Sequence, residues 1–321
     1  FSEVQPNPTE ANVAAGLEAM RGGGHDGVVA FGGGSALDAG KVIAFLMGQT
    51  RPMWDFEDVG DWWTRADPAG IAPIVAVPTT AGTGSEVGRA GVITNLASHT
   101  KKVIFHPKMM PAQVICDPEL TVGLPPQLTA GTGMDALAHC LEAYCSPSYH
   151  PMAEGIAVEG MRLVQENLLA AYRDGGDLEA RANMLSAALM GATAFQKGLG
   201  AIHALSHPVG ALYDTHHGLT NAVFMPYVLD FNRETIWDKI DRLAGWLGIE
   251  GGFSGFLDFV LRLRRDLGVP HTLDKLGVDG ARFETMAAMA VIDPTAAGNP
   301  RRLNEADARE LYERATEGRV G

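Results

Sequence analysis

The chain changes character near residue 120, and that change limits what it can fold into. Before it, short β-branched apolar runs alternate with helical stretches. Asp26-Gly27-Val28-Val29-Ala30-Phe31 precedes a helical pattern from Ser35 to Met47, and Ile71-Ala72-Pro73-Ile74-Val75-Ala76-Val77 and Ala112-Gln113-Val114-Ile115-Cys116 follow. Continuous apolar runs between helices are what strands of a parallel sheet covered on both faces look like. Gly91 to Asn95 and Lys102 to Phe105 alternate instead, flank polar Ala97-Ser98-His99-Thr100, and predict a hairpin attached to that sheet. After Leu124-Pro125-Pro126 no convincing strand pattern remains. Apolar residues recur at helical spacing, as Met161, Val164, Leu168 and Leu169 do within 152–173, and Phe256, Phe259, Val260 and Leu263 within 253–267. The expected architecture is an α/β domain over 1–120 followed by an all-α domain over 121–321, with the boundary between Pro118 and Gln127. No internal repeat or low-complexity segment interrupts either part.

With 321 residues and 46% hydrophobic content, the chain can bury two cores. A net charge of -13, from 25 basic and 38 acidic residues, repels nucleic acid and anionic membrane alike, so neither is expected as a partner. No apolar run reaches bilayer length and no signal peptide opens the sequence. Its three cysteines, Cys116, Cys140 and Cys145, are too few and too unevenly placed for a disulfide framework, so a cytoplasmic location is expected.

Chemistry concentrates in two stretches of the second half. Asp135 and His139 sit four apart in GTGMDALAHCLEAY, a proline-free helical pattern, so both point from one helix face. His203 and His207 repeat the spacing in GLGAIHALSHPVGALYDTHHGLTNAV, where His216 and His217 follow. Four of ten histidines thus crowd into a mostly apolar stretch, where an imidazole is costly to bury unless hydrogen-bonded or ligated. One histidine in an apolar helix is ordinarily a satisfied core group. A carboxylate with several imidazoles is different, being a ligand set suited to Fe(II) or Zn(II). Asp135, His139, His203 and His217 are therefore expected to hold one metal. Cys140 and Cys145 lie near them but are read as small core residues, because a hard carboxylate does not suit a thiolate-selected metal.

In the first half, two glycine-rich turns close strands. Phe31-Gly32-Gly33-Gly34-Ser35 opens a helix whose N-terminus offers N–H groups and a positive dipole end to a phosphate. Pro78-Thr79-Thr80-Ala81-Gly82-Thr83-Gly84-Ser85-Glu86 adds hydroxyls able to meet phosphate, ribose or a carboxamide. Two such turns at strand C-terminal ends mark the edge where open α/β sheets bind ligands, and together they suggest a nucleotide. Gly22-Gly23-Gly24 is read as a plain turn.

GGGSALDAGK, PTTAGTGSEV, GMDALAHCLEAY and IHALSHPVGALYDTHHG, in this order, resemble the iron-containing (group III) alcohol dehydrogenases over essentially the whole chain. The resemblance implies a dehydroquinate synthase-like architecture, with a nucleotide-binding domain, a helical domain and a divalent metal, and an NAD- or NADP-linked alcohol/aldehyde oxidoreductase acting on a small primary alcohol or aldehyde. Carried over, it makes Asp135, His139, His203 and His217 the metal ligands and His207 a non-ligand beside metal and substrate, which could relay the alcohol proton outward. It places Gly33, Gly34 and Ser35 at the pyrophosphate, Asp38 and Lys101 along the nucleotide, and Thr79, Thr80, Thr83 and Ser85 near the nicotinamide. His216 falls where the family tolerates other residues and is read as structural. The ion would be Fe(2+), Zn(2+) or another divalent metal, and a homodimer is the expected assembly.

The chain departs from the family pattern at Gly88 and Arg89, where TGSEV is usually followed by threonine. It also starts at Phe1, past the family's opening strands, which carry the acidic residue selecting NAD over NADP. The expectation is that a chain starting there keeps its metal but holds NAD(P) weakly. Two other readings are a 3-dehydroquinate synthase-type lyase and a non-catalytic metal-binding homologue. The lyase would need a Lys/Arg cluster around the metal, where the ligand-bearing stretches offer only Lys197.

Overall fold

A computed structural model describes residues 1–98 and 100–321, and its contacts divide the chain into two compact units, Phe1–Thr121 and Val122–Gly321. His99, placed by the sequence in the turn of the hairpin, lies outside the described residues.

The first unit opens with helix α1 (Glu10–Gly22) and strand β1 (Val28–Gly32). Helix α1 was not anticipated, because its alanine-rich sequence carries only a thin apolar stripe of Val13, Gly16 and Met20. A capping box between Thr9 and Asn12 starts it. After β1 come α2 (Gly34–Leu46), β2 (Ile74–Pro78), β3 (Ala90–Asn95), β4 (Thr100–Phe105) and the short β5 (Gln113–Val114). Strands β1, β2 and β5 form a parallel sheet in that order, with Val28 opposite Ile74 and Gly32 opposite Pro78. Helix α2 is buried from Leu37 to Leu46.

The hairpin corrects one expectation. Strands β3 and β4 pair antiparallel but form a sheet of their own rather than extending the parallel one. The reason is α2, whose Asp38 Oδ2 accepts the Val92 N–H (3.0 Å), and whose Val42 fills the space that a side chain at Gly91 would take. Packing on α2 and single bridges of Thr94 to Thr9 and of Ile104 to Glu57, rather than the edge of the parallel sheet, hold the hairpin.

The second unit holds α3 (Pro126–Cys145), α4 (Pro151–Arg173), α5 (Leu178–Ala194), α6 (Ala201–Tyr213), α7 (His217–Trp246), α8 (Gly252–Asp266), α9 (Phe283–Ile292) and α10 (Glu305–Glu317). No strand follows Val114 among the described residues. Together, a small parallel sheet followed by helices is the α/β-then-α architecture that the sequence predicts. Pro126 at the first turn starts α3, and 16 of its 20 residues are buried against α4, α5 and α7. Helix α7 begins hard against α3: a Cβ on Gly218 would stand 2.1 Å from the Gly131 carbonyl oxygen. Only a glycine there lets the two backbones meet, and the meeting sets His217 beside Asp135. No helix is long and apolar enough to cross a membrane among the described residues.

Candidate metal centre and nucleotide turns

Asp135 Oδ1 is the middle of a polar cluster built by three helices of the second unit. His139 Nε2 from α3 lies 3.8 Å from it, His203 Nε2 from α6 3.9 Å, and His217 Nε2 from the start of α7 3.6 Å. Asp135, His139 and His203 offer ligand atoms that all lie within 4.8 Å of one another. These three are nearly sealed from solvent at 4%, 4% and 2% exposure, whereas the His217 side chain is 31% exposed and forms the open side. Four donors bound to one ion at about 2.1 Å stand about 3.4 Å apart at tetrahedral geometry. The spacings from Asp135 to the three imidazoles therefore need only a few tenths of an ångström of contraction, and the widest spread of the donor atoms, 4.8 Å, needs more. A hard carboxylate with three imidazoles also suits a divalent Fe or Zn ion.

Three residues that sequence spacing did not single out complete the cluster. Asn221, one turn after His217 on α7, brings its amide nitrogen 2.8 Å from Asp135 Oδ1, 3.1 Å from His217 Nε2 and 3.2 Å from His203 Nε2. Its buried Oδ1 has no hydrogen-bond partner among the described residues. Glu142, on the same α3 face as Asp135 and His139, holds His203 Nδ1 at 2.6 Å. Burial alone would push the His203 imidazole down, but the charge and hydrogen bond of Glu142 outweigh it and hold the ring above its ordinary value. Protons therefore compete for this imidazole as pH falls.

The third residue is Asp293, whose Oδ2 meets His207 Nδ1 at 2.8 Å while its Oδ1 accepts from the Thr295 N–H and hydroxyl at 2.9 and 2.5 Å. Burial would raise the Asp293 carboxyl, yet the bonds from His207 and Thr295 hold it below its ordinary value. The His207 ring stacks on His217 with centroids 5.5 Å apart and is 29% exposed, so it stands beside the four donors and reaches solvent. His216 caps α7, accepting the Leu219 N–H at 3.3 Å, and burial pushes its imidazole down. Cys140 packs its Sγ against Gly160 of α4, and burial pushes the Cys140 and Cys145 thiols up to about 12, so both stay protonated core groups. Lys197 donates to the Ala143, Tyr144 and Ser146 carbonyls and to Glu154, which fixes it at the far end of α3.

In the first unit the two glycine turns leave neighbouring parallel strands at the same C-terminal edge, and the Thr79 N–H donates to the Gly32 carbonyl at 3.0 Å. They touch: a Cβ on Gly33 would stand 3.2 Å from Thr80, and one on Gly34 2.7 Å from the Thr83 hydroxyl. Ser35 lies in the first turn of α2, whose N-cap, Gly33, offers no side chain to its N–H groups. Asp38 and Ser85 are turned inward. The Ser85 hydroxyl donates to Asp38 Oδ1 at 2.5 Å, and buried Lys41 lies 3.3 Å from the same oxygen while donating to the Ser85 carbonyl at 2.9 Å. Lys101 belongs to the separate hairpin, opposite Thr94. Arg89 places its guanidinium over the Phe105 ring at 5.5 Å.

Comparison with known proteins follows the same division. Residues 1–118 match the family model described as iron-containing alcohol dehydrogenase, and 129–316 match that for the C-terminal part of the Fe-containing alcohol dehydrogenase family. A 4-hydroxybutyrate dehydrogenase of Cupriavidus necator is 41% identical over 326 residues, covering 98% of this chain and 84% of that protein. The crystal structure of a 1,3-propanediol oxidoreductase superposes with a TM-score of 0.93 at 38% identity, over 98% of this chain and 83% of the other. A sulfoacetaldehyde reductase from Bifidobacterium kashiwanohense, solved in complex with NAD+, superposes with a TM-score of 0.89 at 29% identity, over 98% and 82%.

Proposed function

The chain belongs to the iron-containing alcohol dehydrogenase family, and from that premise we propose that it is a divalent-metal-dependent, NAD(P)-linked alcohol dehydrogenase acting on a small primary alcohol or the matching aldehyde. The observation that carries the proposal is the convergence of three imidazole Nε2 atoms on Asp135 Oδ1 at 3.6–3.9 Å. Asp135, His139, His203 and His217 would hold the ion, with iron favoured by family and zinc by the same donor chemistry. When bound, the ion supplies Lewis acidity toward the substrate oxygen and the nicotinamide supplies the hydride acceptor.

The chain's own residues do the rest. Asp293 holds His207 by Nδ1, which leaves Nε2 to take the alcohol proton, directly or through a water, and pass it to solvent. The N–H groups of the Gly33–Ser35 turn receive the pyrophosphate at the start of α2, and Thr79, Thr80 and Thr83 offer hydroxyls toward the ribose and carboxamide. Asp38, Ser85 and Lys41 shape these turns from beneath, and Lys101 enters on family position alone. Two of the relatives, a 4-hydroxybutyrate dehydrogenase and a 1,3-propanediol oxidoreductase, favour a short primary alcohol bearing a second polar group. A lyase on a sugar phosphate is disfavoured because Lys197, the one cation near the ligand stretches, is spent on the Ala143 and Ser146 carbonyls at the end of α3.

The test is reconstitution with Fe(2+) or Zn(2+) and assay of NAD and NADP reduction with 4-hydroxybutyrate and 1,3-propanediol. Turnover with one dinucleotide, abolished by a chelator, is expected. Asp135→Ala and His203→Ala should carry no metal by elemental analysis and show no turnover. Full metal retention in either variant, or undiminished turnover in chelator, would overturn the reading, and metal binding without turnover would favour a non-catalytic homologue.

A further inference from the structure

Helix α6 begins without a side-chain cap of its own, since its N-cap is Gly200. Two residues from elsewhere in the fold supply what is missing. Asn299 Oδ1 accepts the Ala201 N–H at 3.1 Å, and Glu142 Oε1 accepts the Ile202 N–H at 2.6 Å. The second oxygen of the same carboxylate, Oε2, is 2.6 Å from His203 Nδ1, one residue further along the helix. Glu142 is 5% exposed, so its charge is buried, and the α6 N-terminus and this imidazole compensate it. It thus spans the two things that must be fixed for His203 to present a lone pair: the start of the helix and the tautomer of the ring. An ionised carboxylate only accepts hydrogen bonds, so the ring must donate from Nδ1, and Nε2 is left with its lone pair facing Asp135. The Asn221 amide nitrogen, 3.2 Å from that Nε2 and 2.8 Å from Asp135 Oδ1, is a donor and meets the same lone pair.

We propose that Glu142 is a positioning residue of the metal centre, which holds His203 as the Nδ1–H tautomer with one oxygen and anchors the helix that carries it with the other. The inference rests on the metal reading given above. It has a sharp chemical consequence. A carboxylate accepts from the Ile202 N–H and the His203 Nδ1–H together. A carboxamide of the same shape cannot, because one of its two ends is itself a donor. In Glu142→Gln either the helix cap fails or the amide donates to Nδ1, which moves the ring proton to Nε2, where the metal should bind. Carboxylates that orient a metal-bound histidine are worth about 10–100-fold in affinity when removed.

The experiment titrates the purified, metal-depleted chain with zinc by calorimetry beside Glu142→Gln and Asn299→Ser. The Asn299 substitution disturbs the same helix end, along with the Asn299 bonds to Asn232 and the Arg301 carbonyl, without touching the imidazole, so it sets an upper bound on what capping is worth. The expected result is an affinity loss of about 10–100-fold in Glu142→Gln, with Asn299→Ser near the parent. Equal losses in both variants would reduce Glu142 to a helix cap and overturn the proposal, as would unchanged affinity in Glu142→Gln. Should the parent bind no zinc, the metal reading itself falls and takes this inference with it, an outcome distinct from parent binding matched by the variant. If Glu142→Gln does not fold, nitrogen-15 NMR of the histidine rings in the zinc-loaded parent decides. A protonated Nδ1 on His203 supports the assignment, and a proton-free Nδ1 overturns it.

Discussion

At the residue scale, the pair of His207 and Asp293 joins chemistry to stability. The relay role makes a two-part prediction for His207→Phe. The variant should keep its metal, since His207 lies outside the donor set, while turnover falls by about 10²–10⁴-fold, the usual worth of a positioned acid–base group. Metal loss in proportion to activity would instead make His207 a support of the centre. The second part concerns pH. In the parent the Asp293 carboxyl lies below its ordinary value of 3.8, so its bond to His207 stabilises the fold fully above that value and less as pH falls through the lower, folded one. Without the imidazole that contribution shrinks. Denaturant unfolding from pH 5 down to 3 should show a parent-to-variant gap that narrows as pH falls below about 4; a gap that widens over that acid range would contradict the assignment. Much of this was hidden in the sequence. Asp135, His139, His203 and His217 stand out by helical spacing in two short stretches. Asp293 is 86 residues from His207, and no spacing rule ties them. Asn221 and Glu142 carried a weak signal, one helical turn beyond a candidate ligand on the same face, yet such residues are common on buried helices and only the closed geometry distinguishes them.

At the scale of elements, helices with a clear helical pattern are readable, as α3, α4 and α8 show. Helix α1 was not, because alanine supplies helix propensity without marking a face. The hairpin was readable as a hairpin but not as a separate sheet. Its alternation records that one face is buried and not whether a strand edge or a helix covers it. What sequence could not give at all is how closely α3 and α7 approach, which depends on Gly131 meeting Gly218 across 87 residues of chain. That approach yields a prediction. In Gly218→Ala the added methyl has 2.1 Å to the Gly131 carbonyl oxygen, and the two helix backbones must separate to admit it. Overpacking of this kind costs about 1–3 kcal/mol, visible as a lowered midpoint in denaturant. Because His217 and Asp135 ride on the separating helices, zinc affinity should fall with stability. Normal affinity in a destabilised variant would show that the donor set adjusts independently of the helix contact.

At the scale of the whole molecule, every proposed metal donor lies in Val122–Gly321, and both glycine turns lie in Phe1–Thr121. The two ligands should therefore leave separate marks on the chain. A metal at 100 times its dissociation constant stabilises whatever holds it by about 2.7 kcal/mol. Its donors come from three helices far apart in sequence, so opening any one of them forfeits the whole of that energy. Hydrogen exchange should accordingly slow in the α3 segment around Asp135–Glu142, in α6 around His203 and at the start of α7 together when zinc is added to the metal-depleted chain. The Gly32–Lys41 and Pro78–Val87 segments should not change with zinc but should gain protection from NAD or NADP, through the N–H groups at the start of α2. If zinc slowed exchange in only one of the three helices, the ion would be held by a local pair such as Asp135 and His139, and the four-donor centre would be wrong. If the dinucleotide protected the helices of the second unit and not the turns, the nucleotide site would have to be sought away from the strand edge where the two glycine turns meet.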